Sequence, residues 1–385
     1  MPIFNFSNMW IVRIIALLAS IISLNAWSQQ DPEEVTSLYD RIWNAAVLYE
    51  NKENSIIQSF SLIGRYHGQA WSVNADQGNA QDWENRRMIA GFSSTWFSDF
   101  TLQAQMYLKS GSEGLYNGLY EAFIEWAPQN AHVSIAIGRL DYLFTGFERS
   151  TSSKKINTME RGLLVNQVMP AEVVGVHLKG QKASISYHAG LFSGSIQEEF
   201  SDLHSGSALV VGAGIDLPLL MDEGKLHLDY LNNHSDRDGN AFRPYRHIVS
   251  LWHQGQSGRL GLGIDLTAAL PRDADGHIWG LTLEPTWWLL NEVFAKNDPL
   301  QLALRYQFAK SSENNGLRLQ RRYEEEVTEG QGDRYHAFYA GLNYFLNGQK
   351  LKLMIGGEYA HMHDRANDGG KYRGWTWFGA VRLYF

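Results

Sequence analysis

The chain of 385 residues contains no cysteine, and this absence removes several kinds of chemistry at once. Without thiols a protein has no disulfides, no cysteine-based zinc site and no cysteine nucleophile. The absence also fits a protein exported through an oxidising compartment, where stray thiols are a hazard. The composition therefore excludes thiol-based redox enzymes and favours a protein of the cell envelope.

Proline, positive charge and long apolar runs are also scarce. Only 9 prolines occur, and no proline- or serine-rich linker divides the chain, which predicts one large domain rather than two. The formal net charge of −8 disfavours a nucleic-acid-binding protein, because such proteins normally carry a basic surface. Beyond the first 30 residues, every apolar stretch is soon interrupted by glycine or a charged residue, so none predicts a transmembrane helix.

The first residues carry the pattern of a signal peptide. Arg13 is the only charged residue before Asp31, and the apolar run from Ile14 to Leu24 follows it directly. The small residues Ala26 and Ser28 then stand where a signal peptidase reads the chain. A transmembrane anchor is the alternative, but the run is well short of the roughly 20 apolar residues that span a bilayer. We therefore predict export from the cytoplasm.

The sequence divides into three parts on this basis: a cleaved signal peptide over 1–28, a periplasmic segment over 29–55 and a barrel domain over 56–385. In the second part, apolar residues between Val35 and Tyr49 recur at helical spacing. This spacing predicts a short amphipathic helix, with a disordered leader as the alternative.

The third part alternates between apolar and polar residues with a period of two. The segments Phe100 to Lys109 and Pro299 to Phe308 show this alternation most clearly. Strict alternation over eight to ten residues predicts a strand with one apolar and one polar face. The predicted strands are 57–66, 86–96, 100–109, 116–126, 131–139, 172–180, 183–191, 208–217, 224–231, 245–253, 258–267, 277–290, 299–308, 334–346, 350–360 and 374–385.

The connections between these sixteen strands alternate in length. Short turns follow the even-numbered strands, whereas long or polar connections, such as 67–85, 140–171 and 309–333, follow the odd-numbered ones. Transmembrane β-barrels sort their connections in this way, with short periplasmic turns and long extracellular loops. A barrel of sixteen strands is too wide for side chains to fill, so its polar face lines a water-filled lumen and its apolar face meets lipid. We predict an all-β, sixteen-stranded antiparallel barrel in the bacterial outer membrane.

The connection 140–171 is the third predicted outer loop, and it is unusually apolar for a loop in water. Long ordered loops are usually functional, and the nearest shelter for this apolar surface is the inner wall of the barrel. Folded inward, the loop would narrow the lumen and present its cations there, as basic filters for anions do. These cations are Arg149, Lys154, Lys155 and Arg161. An outward cap with its charges in water is the alternative.

At this loop the sequence resembles the phosphate-selective porin O and P family. The matching elements are, in order, Gly138-Arg139, Thr151 to Lys154, Met159 to Arg161 and Gly175-Val176. The resemblance extends to the signal peptide, the layout of strands and loops, and the terminal Phe385. It implies a trimeric outer-membrane porin whose third loop and adjacent wall bind phosphate or related anions.

The resemblance also implies a set of candidate anion contacts. These are Arg149, Lys154, Lys155 and Arg161 on the loop, with Arg65, Arg87 and Arg305 as wall partners. Glu172 stands where the family often has a basic residue, and acidic residues on the predicted wall further weaken a strict phosphate assignment. The final Phe385 resembles the terminal signal by which the barrel assembly machinery recognises outer-membrane barrels.

A passive porin for inorganic anions or small solutes is thus the predicted function. A receptor or scaffold barrel with little conductance is the alternative. The sequence has no Gly-x-Ser-x-Gly elbow and no His-Glu-x-x-His motif, so we predict no enzyme, no cofactor and no metal site. The expected partners are the lipid bilayer, the assembly machinery and two further copies of the chain, and not nucleic acid.

Overall fold

The computed structural model describes residues 38–109, 114–141, 146–168, 172–195, 199–200, 204–218, 220–235, 245–271, 276–294, 297–319 and 322–385. The predicted signal peptide lies outside these residues. Within them, no helix has the length and apolar character needed to cross a membrane.

Sixteen antiparallel strands form a closed barrel, in which each strand pairs with the next and the last pairs with the first. The barrel strands are β2 (Ile57–Ala75), β3 (Gly78–Trp96), β4 (Phe100–Leu108), β5 (Tyr116–Trp126), β6 (Val133–Leu140), β7 (Val173–Lys182), β8 (Ile185–Ser193), β9 (Ser207–Asp216), β10 (Glu223–Asn233), β11 (Tyr245–Ser257), β12 (Leu260–Pro271), β13 (Ile278–Leu290), β14 (Leu300–Ser311), β17 (Arg334–Asn347), β18 (Leu351–His363) and β19 (Tyr372–Tyr384). The predicted fold is confirmed.

A few short elements lie outside the barrel wall. Helix α1 (Leu38–Asn44) and strand β1 (Val47–Glu50) precede the first barrel strand, and helices α2 (Phe147–Ser150) and α3 (Leu163–Val168) belong to the third loop. The connection between β14 and β17 contains strands β15 (Leu317–Arg318) and β16 (Gln331–Gly332), with one turn of 3-10 helix (Glu324–Glu326) between them.

The two faces of the barrel follow the alternation in the sequence. In β19, Trp375 and Trp377 are about half exposed on the outside, whereas Thr376, Phe378 and Arg382 are buried on the inside. Apolar side chains face outward because lipid, not water, is the solvent there.

The predicted outer loop at 67–85 is wrong, because β2 and β3 continue through it as one long hairpin. Each strand has 19 residues, and their pairing runs on to Ala75 and Gly78 at the tip. Small and polar residues dominate this stretch and hide the period of two, although Trp71 and Val73 on the inner face are buried in an apolar cluster. Above the membrane, the outer face of a hairpin meets water in place of lipid, so pairing needs no apolar outer face there.

The seam of the barrel lies between β19 and β2. Tyr384 pairs with Arg65, and Phe385 exchanges two backbone hydrogen bonds with Gly64, at 3.0 and 3.1 Å. Further along β2, Phe60 pairs with Tyr49 of β1. The predicted helix through Tyr49 therefore ends earlier, at Asn44, and the chain turns into a strand.

The N-terminal segment extends this seam. Strand β1 pairs with β2 just beyond the end of β19, and Trp43 donates its indole N–H to the Tyr384 carbonyl at 2.6 Å. An unpaired strand edge exposes backbone N–H and C=O groups that can pair with another chain. Helix α1 and strand β1 supply hydrogen-bond partners where the last barrel strand stops.

Candidate channel constriction

The described residues of the third loop, 146–168, lie inside the barrel. At one end, the backbone N–H groups of Gly146 and Phe147 donate to Asp229 on β10 and Asp265 on β12, at 3.3 and 3.1 Å. At the other end, the N–H of Leu163 donates to the Gln307 side chain on β14 at 2.8 Å. The loop therefore lies against the inward faces of several strands.

Cations on the wall hold the middle of the loop through its backbone carbonyl groups. Lys352 on β18 donates to the Ile156 carbonyl at 2.7 Å, and Arg382 on β19 donates to the Met159 carbonyl. Loop carbonyls away from bulk water need such partners, and charged donors make the strongest bonds to them.

Apolar packing anchors the loop as well. Met159, Leu163, Leu164 and Val168 are all buried in one cluster with residues of the barrel wall, including Tyr335. The apolar character that marked this connection in the sequence is thus used for packing inside the lumen.

Arg305 on β14 is the centre of a buried charge network. Its guanidinium donates to Glu148 of the loop and to Glu358 on β18, both at 2.8 Å, and also to the Glu160 carbonyl at 2.6 Å. Only 4% of Arg305 is exposed. Its charge is shared between two carboxylates, so it clamps the loop to the wall.

Three further predicted anion contacts are buried with partners inside the protein. Arg149 forms a 2.6 Å ion pair with Asp141. Arg161 donates to the carbonyl groups of Glu148 and Thr151, at 2.8 and 2.7 Å. Arg65 on β2 follows the same pattern, donating to the Ser153 hydroxyl at 2.6 Å and to the Tyr120 hydroxyl at 3.2 Å.

The two lysines of the loop are more accessible. Lys155 is exposed and lines a cavity of about 500 Å³ that also touches Asn157 and Glu284. Lys154 is half-buried, with its ammonium 4.9 Å from the centre of the Tyr384 ring. Burial, together with the charge of Arg65, lowers the pKa of Lys154 to about 8.

A β-bulge brings two consecutive arginines to the lumen. The pairing of β2 and β3 shifts between His67 and Gly68, which leaves Arg86 as the extra residue on β3. A bulge redirects the side chain of the extra residue, and Arg86 forms an ion pair of 2.5 Å with Glu160 of the loop. Strict alternation would have placed Arg86 toward the outside, so the sequence did not reveal it.

The bulge also determines the charge state of Glu160. Burial opposes ionisation of this carboxyl, but the neighbouring Arg86 and Arg87 hold its pKa well below the usual range. Arg87, a predicted contact, lies beside this pair and is partly buried. Arg382 was also absent from the predicted site, although its alternation pattern placed it on the inner face.

Comparison with known proteins agrees with this geometry. Residues 60–215 match the family described as phosphate-selective porin O and P. The chain forms an outer-membrane β-barrel that resembles the porins. The predicted resemblance to this family is confirmed over the matched residues, which include the third loop. Among curated protein sequences, none is a significant relative.

Solved porin structures share the fold at low sequence identity. The anion-selective porin from Comamonas acidovorans aligns with a TM-score of 0.61 and 10% identity, covering 85% of this porin and 99% of that chain. The outer membrane channel DcaP of Acinetobacter baumannii aligns with a TM-score of 0.56 and 11% identity, covering 88% of this chain and 100% of that chain. OmpF of Salmonella typhi, solved in complex with daunomycin, aligns with a TM-score of 0.57 and 12% identity, covering 87% of this chain and 100% of that chain. At such identities the likeness concerns the fold alone.

Proposed function

We propose that this porin passes small solutes by diffusion and prefers anions. The accessibility of Lys154 and Lys155 carries the proposal. Arg149, Arg161 and Arg305 are occupied by partners inside the protein, whereas Lys155 is exposed and lines the space beside the loop, and Lys154 is only half-buried. Positive charge at a narrowing raises the local concentration of anions and repels cations.

Phosphate is the anion that the family description suggests for this channel. Phosphate binds best to several donors that converge, as arginine forks do. Arg65 lies near Lys154 and Arg87 lies beside Glu160, so both add positive charge close to the loop, while Asp141 and Glu160 offset part of that charge. We therefore infer a moderate preference for phosphate within a general preference for anions.

Replacing both lysines by glutamine (Lys154→Gln with Lys155→Gln) should lower the anion-to-cation permeability ratio by about threefold to fivefold. Together the two removed charges change the energy difference between an anion and a cation in the wet lumen by about 0.6–1 kcal/mol, which corresponds to this factor. The measurement is the reversal potential in planar bilayers under a KCl gradient, followed by phosphate inhibition of the chloride current.

Lys182→Gln provides the matched control. Lys182 is an exposed lysine at the end of β7, away from the third loop, so its loss should leave the reversal potential unchanged. Equal effects of the control and the double variant would contradict a filter at the third loop. Cation preference of the unmodified porin would contradict the anion proposal altogether, and an absence of conductance would favour a receptor or scaffold.

The anion preference should fall as the pH rises from 7 to 9. Lys154 is charged below its pKa of about 8 and neutral above it, so raising the pH removes one positive charge from the lumen. The Lys154→Arg variant should keep its preference across this range, because arginine stays protonated. Reversal potentials at pH 6, 7, 8 and 9 test this; identical pH profiles for the two proteins would exclude Lys154 as the titrating group.

Assembly and oligomeric state complete the proposal. Phe385 lies over Gly64 at the seam, with 40% of its side chain exposed, and we infer that it serves as the recognition signal for the barrel assembly machinery.

A homotrimer follows from the resemblance to the family alone. Cross-linking of the membrane-inserted protein would test it.

A further inference from the structure

A second cavity lies along strands β6 to β8, β10 and β11 of the wall. It has a volume of about 580 Å³, and we call it the histidine recess. Its defining residues are His177 and Lys179 on β7, His188 on β8, His227 and Asp229 on β10, and Trp252 on β11. Ser150 of the third loop also borders it. The candidate anion contacts line none of it.

Two glycines on β9 create the recess. A Cβ atom at Gly212 would meet the His188 ring at 2.1 Å, and one at Gly214 would meet the His227 ring at 2.2 Å. Both imidazoles can therefore lie over β9 only because these positions have no side chain.

The rings of the recess are arranged in two pairs. His227 stacks on Trp252, with ring centres 4.1 Å apart and an angle of 4° between the planes. His177 and His188 meet edge to face, with ring centres 5.7 Å apart. Offset and edge-to-face contacts are the arrangements that an additional aromatic ring can join.

The charge available to a ligand in this recess is positive. Asp229 is 1% exposed, and its oxygens accept from the Trp252 indole at 2.6 Å and from Gly146 at 3.3 Å and lie 2.9 Å from the His188 ring. Lys179, by contrast, has half of its side chain exposed. It pairs with Glu125 at 2.9 Å, but an ammonium has three donors, and Glu125 does not line the recess.

We propose that the histidine recess binds small aromatic carboxylates. The ring of the ligand packs among the imidazole pairs, and its carboxylate accepts from the Lys179 ammonium. Ligand pockets of this size combine apolar and aromatic walls with a few placed polar groups. The porin would then hold such acids transiently on their way through the lumen.

Equilibrium dialysis of the detergent-solubilised full-length porin against labelled benzoate tests the proposal without requiring conductance. We expect saturable binding that cyclohexanecarboxylate and acetate displace only weakly, because neither has an aromatic ring. Lys179→Gln should weaken benzoate binding about tenfold, as loss of a charged hydrogen bond does. His227→Leu, which keeps an apolar side chain but removes the planar ring, should weaken it as well.

Lys225→Gln is the control, because Lys225 is an exposed inward lysine on β10 that does not line the recess. The Lys225→Gln variant should bind benzoate as tightly as the unmodified porin does. The proposal fails if benzoate does not bind saturably, if cyclohexanecarboxylate competes equally, or if Lys225→Gln loses as much as Lys179→Gln. Because dialysis measures binding and not current, these outcomes are independent of the reversal-potential experiments.

Discussion

Replacing Arg305 by methionine is expected to destabilise the porin by about 3–5 kcal/mol and to release the third loop from the wall. The substitution leaves Glu148 and Glu358 as buried carboxylates without their common partner, and their repulsion pushes loop and wall apart. Single-channel recordings should then show a larger and noisier open current. Heat-induced mobility shifts on gels report the loss of stability.

Arg334→Met is the matched control for this substitution. Arg334 begins the neighbouring strand β17 and is exposed, so its loss should change neither stability nor current noise. Adding Glu148→Gln and Glu358→Gln to the Arg305 variant should restore part of the stability, because these two substitutions remove the uncompensated negative charges. A quiet channel of unchanged conductance in the single variant would show that the clamp does not hold the loop.

Deleting Phe385 should nearly abolish the amount of porin inserted in the outer membrane. The deletion removes the two backbone hydrogen bonds to Gly64 and the aromatic ring that covers this glycine. It also removes the side chain that we propose as the assembly signal. Quantitative immunoblots of outer-membrane fractions measure the effect, and unaffected insertion would contradict the proposed role.

Two comparisons separate recognition from stability in this experiment. Phe294→Ala alters another exposed aromatic residue, at the turn between β13 and β14, and we expect normal insertion. Refolding of purified protein into detergent needs no assembly machinery, so the Phe385 deletion should refold there with only a modest loss. Failure in detergent as well would assign Phe385 to the stability of the seam instead of recognition.

Local patterns in the sequence were sufficient to predict the barrel. Alternation such as that from Phe100 to Lys109 shows which face meets lipid, because successive side chains on a strand point to opposite faces. The hairpin of β2 and β3 was missed in its upper half for the same reason. Where the outer face meets water in place of lipid, the alternation weakens although the backbone pairing continues.

The charges of the candidate site were predicted as residues but not as partners. Seven cations were named from the sequence. In the structure Arg149, Arg161 and Arg305 bond to carboxylates or carbonyl groups, whereas Lys154 and Lys155 are more accessible. Some of these partners lie far away along the chain. Arg305 and Glu148 are 157 positions apart, and Lys352 and Ile156 are 196 apart. No local pattern encodes such a pairing. The sequence therefore could not distinguish cations that bond the loop to the wall from cations that remain accessible to solutes.

The sequence by itself thus determined the strand number, the orientation of the two faces and the membrane in which the porin resides. These follow from short-range periodicity and from the need of every backbone group in lipid for an internal partner. The tertiary structure alone decided which cations are neutralised, how the bulge brings Arg86 to Glu160, and how β1 extends the seam. These features arise only when the barrel closes, because closure brings distant segments into contact.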